Sequence, residues 1–112
     1  MIEDYNFGKI VIDGITYAQD IKIINRKVIP NWWRKNGHSI CKEDIVDIIA
    51  VKPEIFILGT GSFGALKVPP YFVELMKSIG IEFIADKTSK ACSIYNNIPK
   101  AKRVCFGAHL TC

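Results

Sequence analysis

"EIFILGTGSFGALKVPP", residues 54–70, decides how this chain is to be read. Its first half, "EIFIL", is an unbroken apolar run of the kind found in a central strand covered on both faces. Gly59, Gly61 and Gly64 then spell G-x-G-x-x-G, the spacing of a dinucleotide-binding loop, and Pro69 and Pro70 follow where a helix can start. In a dinucleotide-binding fold the helix begins inside the glycine motif, so that its free N–H groups and positive dipole end meet the pyrophosphate. Here Ala65 to Val68 intervene and Val68 is pushed extended by the proline after it, which delays the helix by about one turn, ~5 Å of rise. Asp86, at the end of "IEFIAD", supplies the ribose-binding half of the fingerprint, but the helix is misplaced. Binding of NAD, FAD or ATP is therefore not expected.

Two readings of the loop stay open. Glycines after a buried strand let the backbone turn sharply and approach a neighbouring element. Alternatively, Thr60, Gly61, Ser62 and Gly64 present N–H groups and hydroxyls at the carboxyl end of a central strand, where open α/β sheets bind ligands, and Lys67 neutralises an anion.

Outward from this stretch the chain alternates between strand and helix signals. "KIVIDGITYAQDIKII" reads as a two-stranded antiparallel ribbon turning at Asp13-Gly14, and "NRKVIP" as a turn and a short strand ended by Pro30. "KEDIVDIIAV" has Ile45, Ile48 and Ile49 at helical spacing with Glu43 and Asp44 in its first turn. After the prolines, Phe72, Leu75, Met76 and Ile79 make the buried stripe of a second helix that Gly80 ends. "IEFIA" is the next strand, and Thr88 or Asp86 caps a third helix through "SKACSIYNNI" up to Pro99. "RVCFGAHL" closes as a strand. The expected architecture is a single α/β domain over residues 1–112, a three-layer α/β/α arrangement with a central mixed sheet and an N-terminal antiparallel β-ribbon.

Composition narrows the function classes. In 112 residues, 49% hydrophobic and 23% charged, there is material for one core and none of the signature of disorder. The formal charge of +4 is mild; Lys100, Lys102 and Arg103 cluster, but no aromatic alternates with them as a base-stacking surface requires, so nucleic acid is not an expected partner. Cys41, Cys92, Cys105 and Cys112 read as reduced thiols of a cytoplasmic protein, with no signal peptide and no apolar run of the ~20 residues that cross a bilayer. "GAHLTC" offers Cys105, His109 and Cys112 as soft ligands, yet on a strand Cys112 falls on the opposite face from the other two, so no metal site is expected. "PNWWRKNGHS" gathers Trp32, Trp33, Arg34 and His38 in an irregular segment, and such residues favour interfaces. Its alternative reading is that one tryptophan covers the core edge while Arg34 solvates the loop.

Taken in order, "FGKIVIDGITY", "WWR" followed by "GHS", "LGTGSFGALKVP", "GIEF", the pattern of Thr88, Ala91, Tyr95 and Asn96, and the terminal "RV", His109 and "TC" resemble the Mth-nine-thirty-eight domain family. That family includes adipogenesis-associated Mth-domain proteins and complex I assembly factor 3-like proteins. The resemblance implies a three-layer fold, no established enzymatic activity or cofactor, and an assembly or regulatory role. The side-by-side tryptophans depart from the animal members, which separate them by a residue.

The sequence thus leads to a non-catalytic interaction or assembly domain with Trp32, Trp33, Arg34 and His38 as its candidate surface. The alternative is a small-molecule or anion-binding protein, which leaves room for an unrecognised enzyme, using the loop 59–67 through Thr60, Gly61, Ser62, Gly64 and Lys67. No cofactor, nucleic acid or membrane is expected, while a protein partner and a homo-oligomer are both left open.

Overall fold

The structure, a computed structural model, describes residues 1–112 and is built around two sheets. The first is formed by β1 (Ile2–Asn6), β2 (Lys9–Ile12) and β3 (Ile15–Tyr17), all antiparallel. Asp13 and Gly14 join β2 to β3 with φ of 50° and 80°, positive at both central positions, so that the turn matches the twist of the strands. The expected two-stranded ribbon therefore has three strands. β1, "IEDYN", gives no alternating apolar signal because only Ile2 is fully buried and the rest of the strand is polar or half-exposed.

The second half of the expected ribbon leaves that sheet altogether. β4 (Ile21–Ile24) turns through Asn25 and Arg26, both left-handed, into β5 (Lys27–Ile29). These begin a five-stranded mixed sheet with β6 (Ile55–Thr60), β7 (Glu82–Asp86) and β8 (Val104–His109), in the order β5-β4-β8-β6-β7. β6 is parallel to both neighbours and every one of its residues is buried, as its unbroken apolar run requires.

One helix is shorter than the periodicity suggests. Instead of a single helix over "KEDIVDIIAV", Lys42–Ile45 forms a 3-10 turn and α1 is confined to Val46–Val51. The Asp44 carboxylate accepts from the N–H groups of Cys41 and Lys35, both at 2.8 Å, which ties this first turn back to the preceding loop. α2 (Pro70–Ser78) begins on the second proline; it ends with Gly80 at φ 77° and the Ile81 N–H bonded to the Met76 carbonyl, the reversal that a left-handed glycine permits. α3 (Thr88–Asn97) follows Lys87 and has no side-chain cap; Asp86 bonds the Lys87 N–H, and the Thr88 hydroxyl is used elsewhere.

Alternation along β6 and β8 divides the interior in two. Ile55, Ile57, Val104 and Phe106 face α3 and the three-stranded sheet, packing with Tyr95, Ala91, Ile10 and Ile12. Phe56, Leu58 and Cys105 face α1 and α2, packing with Ile48, Phe72, Met76 and Trp32. The result is three layers, with helices on both faces of the mixed sheet. Gly107 of β8 lies on the second face, where an added Cβ would stand 2.9 Å from Trp32 Cζ3. The missing side chain is the seat of the indole. Gly107→Ala is expected to lower stability by roughly 1–3 kcal/mol through overpacking and to alter Trp32 emission, read from urea denaturation followed by fluorescence.

Candidate functional site

The glycine loop is closed by the chain itself. Gly61, at φ 105°, donates its N–H to the Thr88 hydroxyl at 2.8 Å. Ser62 N–H bonds the Thr111 carbonyl, Phe63 and Ala65 bond the Cys112 oxygen, Gly64 bonds Gly61, Leu66 bonds Thr60 and Lys67 bonds His38. The Thr60 hydroxyl donates to the Asp86 carbonyl, and Ser62 Oγ lies 2.5 Å from the Tyr5 hydroxyl. Every N–H that would cradle an anion between residues 61 and 67 already has an acceptor. The candidate set Thr60, Gly61, Ser62, Gly64 and Lys67 is thus a junction between the loop, α3 and the segment after β8, and its geometry leaves no donor array for a phosphate. The steric reason for the glycines is direct: a Cβ on Gly61 would fall 2.2 Å from the Cys112 carbonyl carbon, and one on Gly59 would fall 3.1 Å from the Thr88 Cα.

The second candidate segment is split by burial. Trp32 is 5% exposed and donates its indole N–H to the Asp44 carbonyl at 3.0 Å, whereas Trp33, the next residue, is 79% exposed. His38 is exposed. Arg34 does not solvate the loop: its side chain is only 5% exposed, its guanidinium carbon sits 5.0 Å over the Trp32 ring, and Nη1 is 2.8 Å from Asp20 Oδ2. Trp32 and Arg34 therefore anchor the loop from within, and Trp33 and His38 form its outer surface.

Asp20 is the centre of this anchor. Oδ1 accepts from the Leu110 N–H and Oδ2 from His109 Nδ1, each at 2.8 Å, while the Asp20 carbonyl accepts from the Trp32 N–H. Because an ionised carboxylate only accepts, Nδ1 carries the proton, and Arg34 Nη2 at 3.1 Å from that nitrogen is a polar neighbour without a lone pair to use. Arg34 Nη1 forms an ion pair with Asp20 Oδ2 at 2.8 Å, and Nε has no partner. Burial alone would raise the Asp20 pKa; the hydrogen bonds from His109 and Leu110 and the close contact and charge of Arg34 outweigh it and hold the carboxyl below its ordinary value.

These groups line a cleft of about 240 Å³ that also includes Trp33, Leu110 and Thr111. Next to the segment Leu110–Cys112 stand Phe63, 74% exposed, and Phe7, 58% exposed, with ring centroids 6.3 Å apart. Their position follows from the Phe63 bond to Cys112 and from the Gly8 N–H bonded to the Leu110 carbonyl. Three exposed aromatics thus share the carboxyl end of β6 and β8. The sequence reading found Trp33 and missed Phe7 and Phe63, which look like ordinary apolar residues beside glycines.

Other chemistry is sparse. Burial pushes the Cys92 and Cys105 thiols up to about 12 and about 11, so neither is a nucleophile at neutral pH. Cys41 is half-buried, Cys112 is exposed, and all four thiols are unpaired. No three His, Cys, Asp or Glu side chains are grouped as a metal would need, and no helix is long and apolar enough to cross a membrane.

A family model described as a protein of unknown function (DUF498/DUF598) matches residues 2–109. The chain belongs to that family. Among solved structures it is similar to a conserved hypothetical protein from Pyrococcus horikoshii OT3, at 24% identity over 100% of this chain and 99% of that one, with a TM-score of 0.87. MT938 matches at 26% identity over 100% and 98%, with a TM-score of 0.82. A Mth938-like domain from Bordetella pertussis matches at 16% identity over 97% and 84%, with a TM-score of 0.72. The Mth938 family expected from the sequence motifs is the one found, and its fold is shared across all three structures.

Two measurements test this geometry. Gly61→Ala combines a left-handed backbone with a main-chain clash and should cost roughly 1–3 kcal/mol, whereas Gly37→Ala, with no neighbour to meet, should stay within about 0.5 kcal/mol in the same urea titration. Asp20 has a folded pKa below its unfolded one, so its contribution is complete above about pH 4 and is lost as pH falls through the folded value. Asp20→Asn should therefore be less stable than wild type by about 1–3 kcal/mol at pH 7, and the gap should narrow below about pH 4.

Proposed function

We propose that this domain is a non-catalytic binding module that meets a protein partner through the aromatic end of its sheet, with Trp33 as the central anchor. The observation that carries this reading is the contrast within one dipeptide. Trp32 is locked in the core by an indole hydrogen bond, and Trp33 beside it is turned out to solvent. A large exposed aromatic on a loop pinned from beneath loses little further freedom on binding, which is what an anchor residue requires. Phe7 and Phe63 extend the apolar surface across the same end.

Other features favour binding over catalysis. The two buried thiols are suppressed by burial, and the loop that would serve an anion has its donors engaged. An assembly or regulatory role, as the family resemblance implies, needs only such a surface.

A photo-crosslinking residue placed at position 33 in the producing cell tests the reading, with the same residue at exposed Val46 of α1 as control. Adducts specific to position 33, competed by wild-type protein and not by Trp33→Ala, are expected. Trp33→Ala should leave stability within about 0.5 kcal/mol, since the side chain is exposed. Equal adducts from both positions, or none, would sink the assignment.

A further inference from the structure

A tyrosine held in a core ordinarily finds a hydrogen-bond partner for its hydroxyl. Tyr95 does not. It is 8% exposed, its ring packs against Phe106 with centroids 5.2 Å apart, and its hydroxyl bonds to nothing in the chain. The side-chain atoms sealed from water without a partner all belong to Arg34, so the Tyr95 hydroxyl is open to the cleft that its residue lines. That cleft, of about 390 Å³, lies near the amino end of β8, at the opposite end of the strand from the exposed aromatics. Burial raises the Tyr95 pKa and the nearby charge of Arg26 opposes the rise, so a protonated hydroxyl stands beside a cation.

Two positive side chains share the cleft with it. Arg26 stands in the left-handed turn after β4, and its Nη2 donates to the Lys100 carbonyl at 2.7 Å, which leaves Nε and Nη1 without a bond. Lys100 Nζ makes neither a hydrogen bond nor an ion pair, and both residues are exposed, so these donors are reachable. With Lys102 and Arg103 they also line an adjoining cleft of about 300 Å³ that has no acidic residue in its wall. Lys102 faces Glu54 Oε1 at 3.8 Å and Arg103 is turned onto the Lys52 carbonyl, which leaves Arg26 and Lys100, common to both clefts, as the uncompensated charges. The acid in the wall of the first cleft, Asp13, is held by the Met1 ammonium at 2.7 Å. The rest of that wall is apolar, with Ile12, Ile23 and Ile98, and an apolar cavity of this size with a few convergent donors has the make-up of a small-molecule site.

We propose that this cleft binds a small organic phosphate, with its phosphoryl group between Arg26, Lys100 and the Tyr95 hydroxyl and its apolar body against the isoleucines. A phosphate monoester brings roughly two negative charges and three acceptor oxygens, one for each of the three donors, where a carboxylate brings a single charge and two oxygens. The site is separate from the Trp33 surface and stands or falls without it.

The test is an NMR titration of the isotope-labelled full chain with phenyl phosphate, inorganic phosphate and phenol at constant ionic strength. Phenyl phosphate is expected to give saturable shifts of the amides of residues 25–27, 95–96 and 100–102, with an affinity at least about tenfold above that of either fragment. Tyr95→Phe breaks no hydrogen bond within the chain and should weaken phenyl phosphate about tenfold, the worth of one bond to a charged group. Lys100→Gln should weaken it by a similar factor, whereas Lys77→Gln, the same change of charge on the exposed side of α2, should stay within about twofold. Equal affinity for inorganic phosphate, no effect of Tyr95→Phe, or equal losses from the two lysine variants would overturn the site. So would the absence of saturable shifts up to about 10 mM phenyl phosphate, or tighter binding of a short DNA duplex at the same residues, which would assign the basic rim to a polymer.

Discussion

A pair of adjacent strands, β6 and β8, runs parallel through the middle of the molecule with almost no side chain reaching solvent, and this double burial governs what surrounds it. Such strands need cover on both faces, yet every approaching element must find room against a surface of branched and aromatic residues. Two glycines supply that room. Gly59 lets the first residue of α3, Thr88, come within a methyl group of the strand, and Gly107 seats the Trp32 indole on the opposite face. The Thr88 hydroxyl then bridges Gly61 N–H to the His109 carbonyl, joining the ends of the two strands through a third element. The loop that resembles a phosphate cradle is a by-product of this packing.

The tryptophan loop is held by two carboxylates from different parts of the chain. Asp44 takes the N–H groups of Lys35 and Cys41 and gives its carbonyl to Trp32; Asp20 takes Leu110, His109 and the charge of Arg34. One side chain in this irregular segment, Trp33, escapes both. Rigidity of the support and exposure of the tip therefore have a common origin in the alternation of inward and outward residues from Trp32 to Arg34.

Local signals made the interior of the fold legible. The apolar run of β6, the Asp13-Gly14 and Asn25-Arg26 turns, the proline start of α2 and its Gly80 end all depend on residues within a few positions, and the structure has each of them where those residues lie. β1 escaped because a strand with one buried residue carries no period, and the helix after Cys41 was overestimated because Asp44 bonds backward to the loop. The anchor under Trp33 was hidden for a different reason. Asp20 meets His109 across a separation of 89 residues, and Arg34 meets the same ring across 75, so each alone reads as a polar residue in a loop or at a strand end. Arg34 in particular looked like a solvent-facing neighbour of tryptophan until the sheet brought its counter-charge beneath it.

The division of the interior by the mixed sheet also separates two of the cysteines. Cys92 belongs to the layer of α3 and Cys105 to the layer of α1 and α2. Both are held far from the thiolate form by burial, and thiolate is the species that reacts with alkylating reagents. Each sulfur is thus a silent timer for its own layer, started only when that face of the sheet opens. If the two faces open as one cooperative unit, modification of the two sites will proceed at a common opening rate. If the helical layers detach independently, the pair will separate kinetically and report which side of the sheet gives way first.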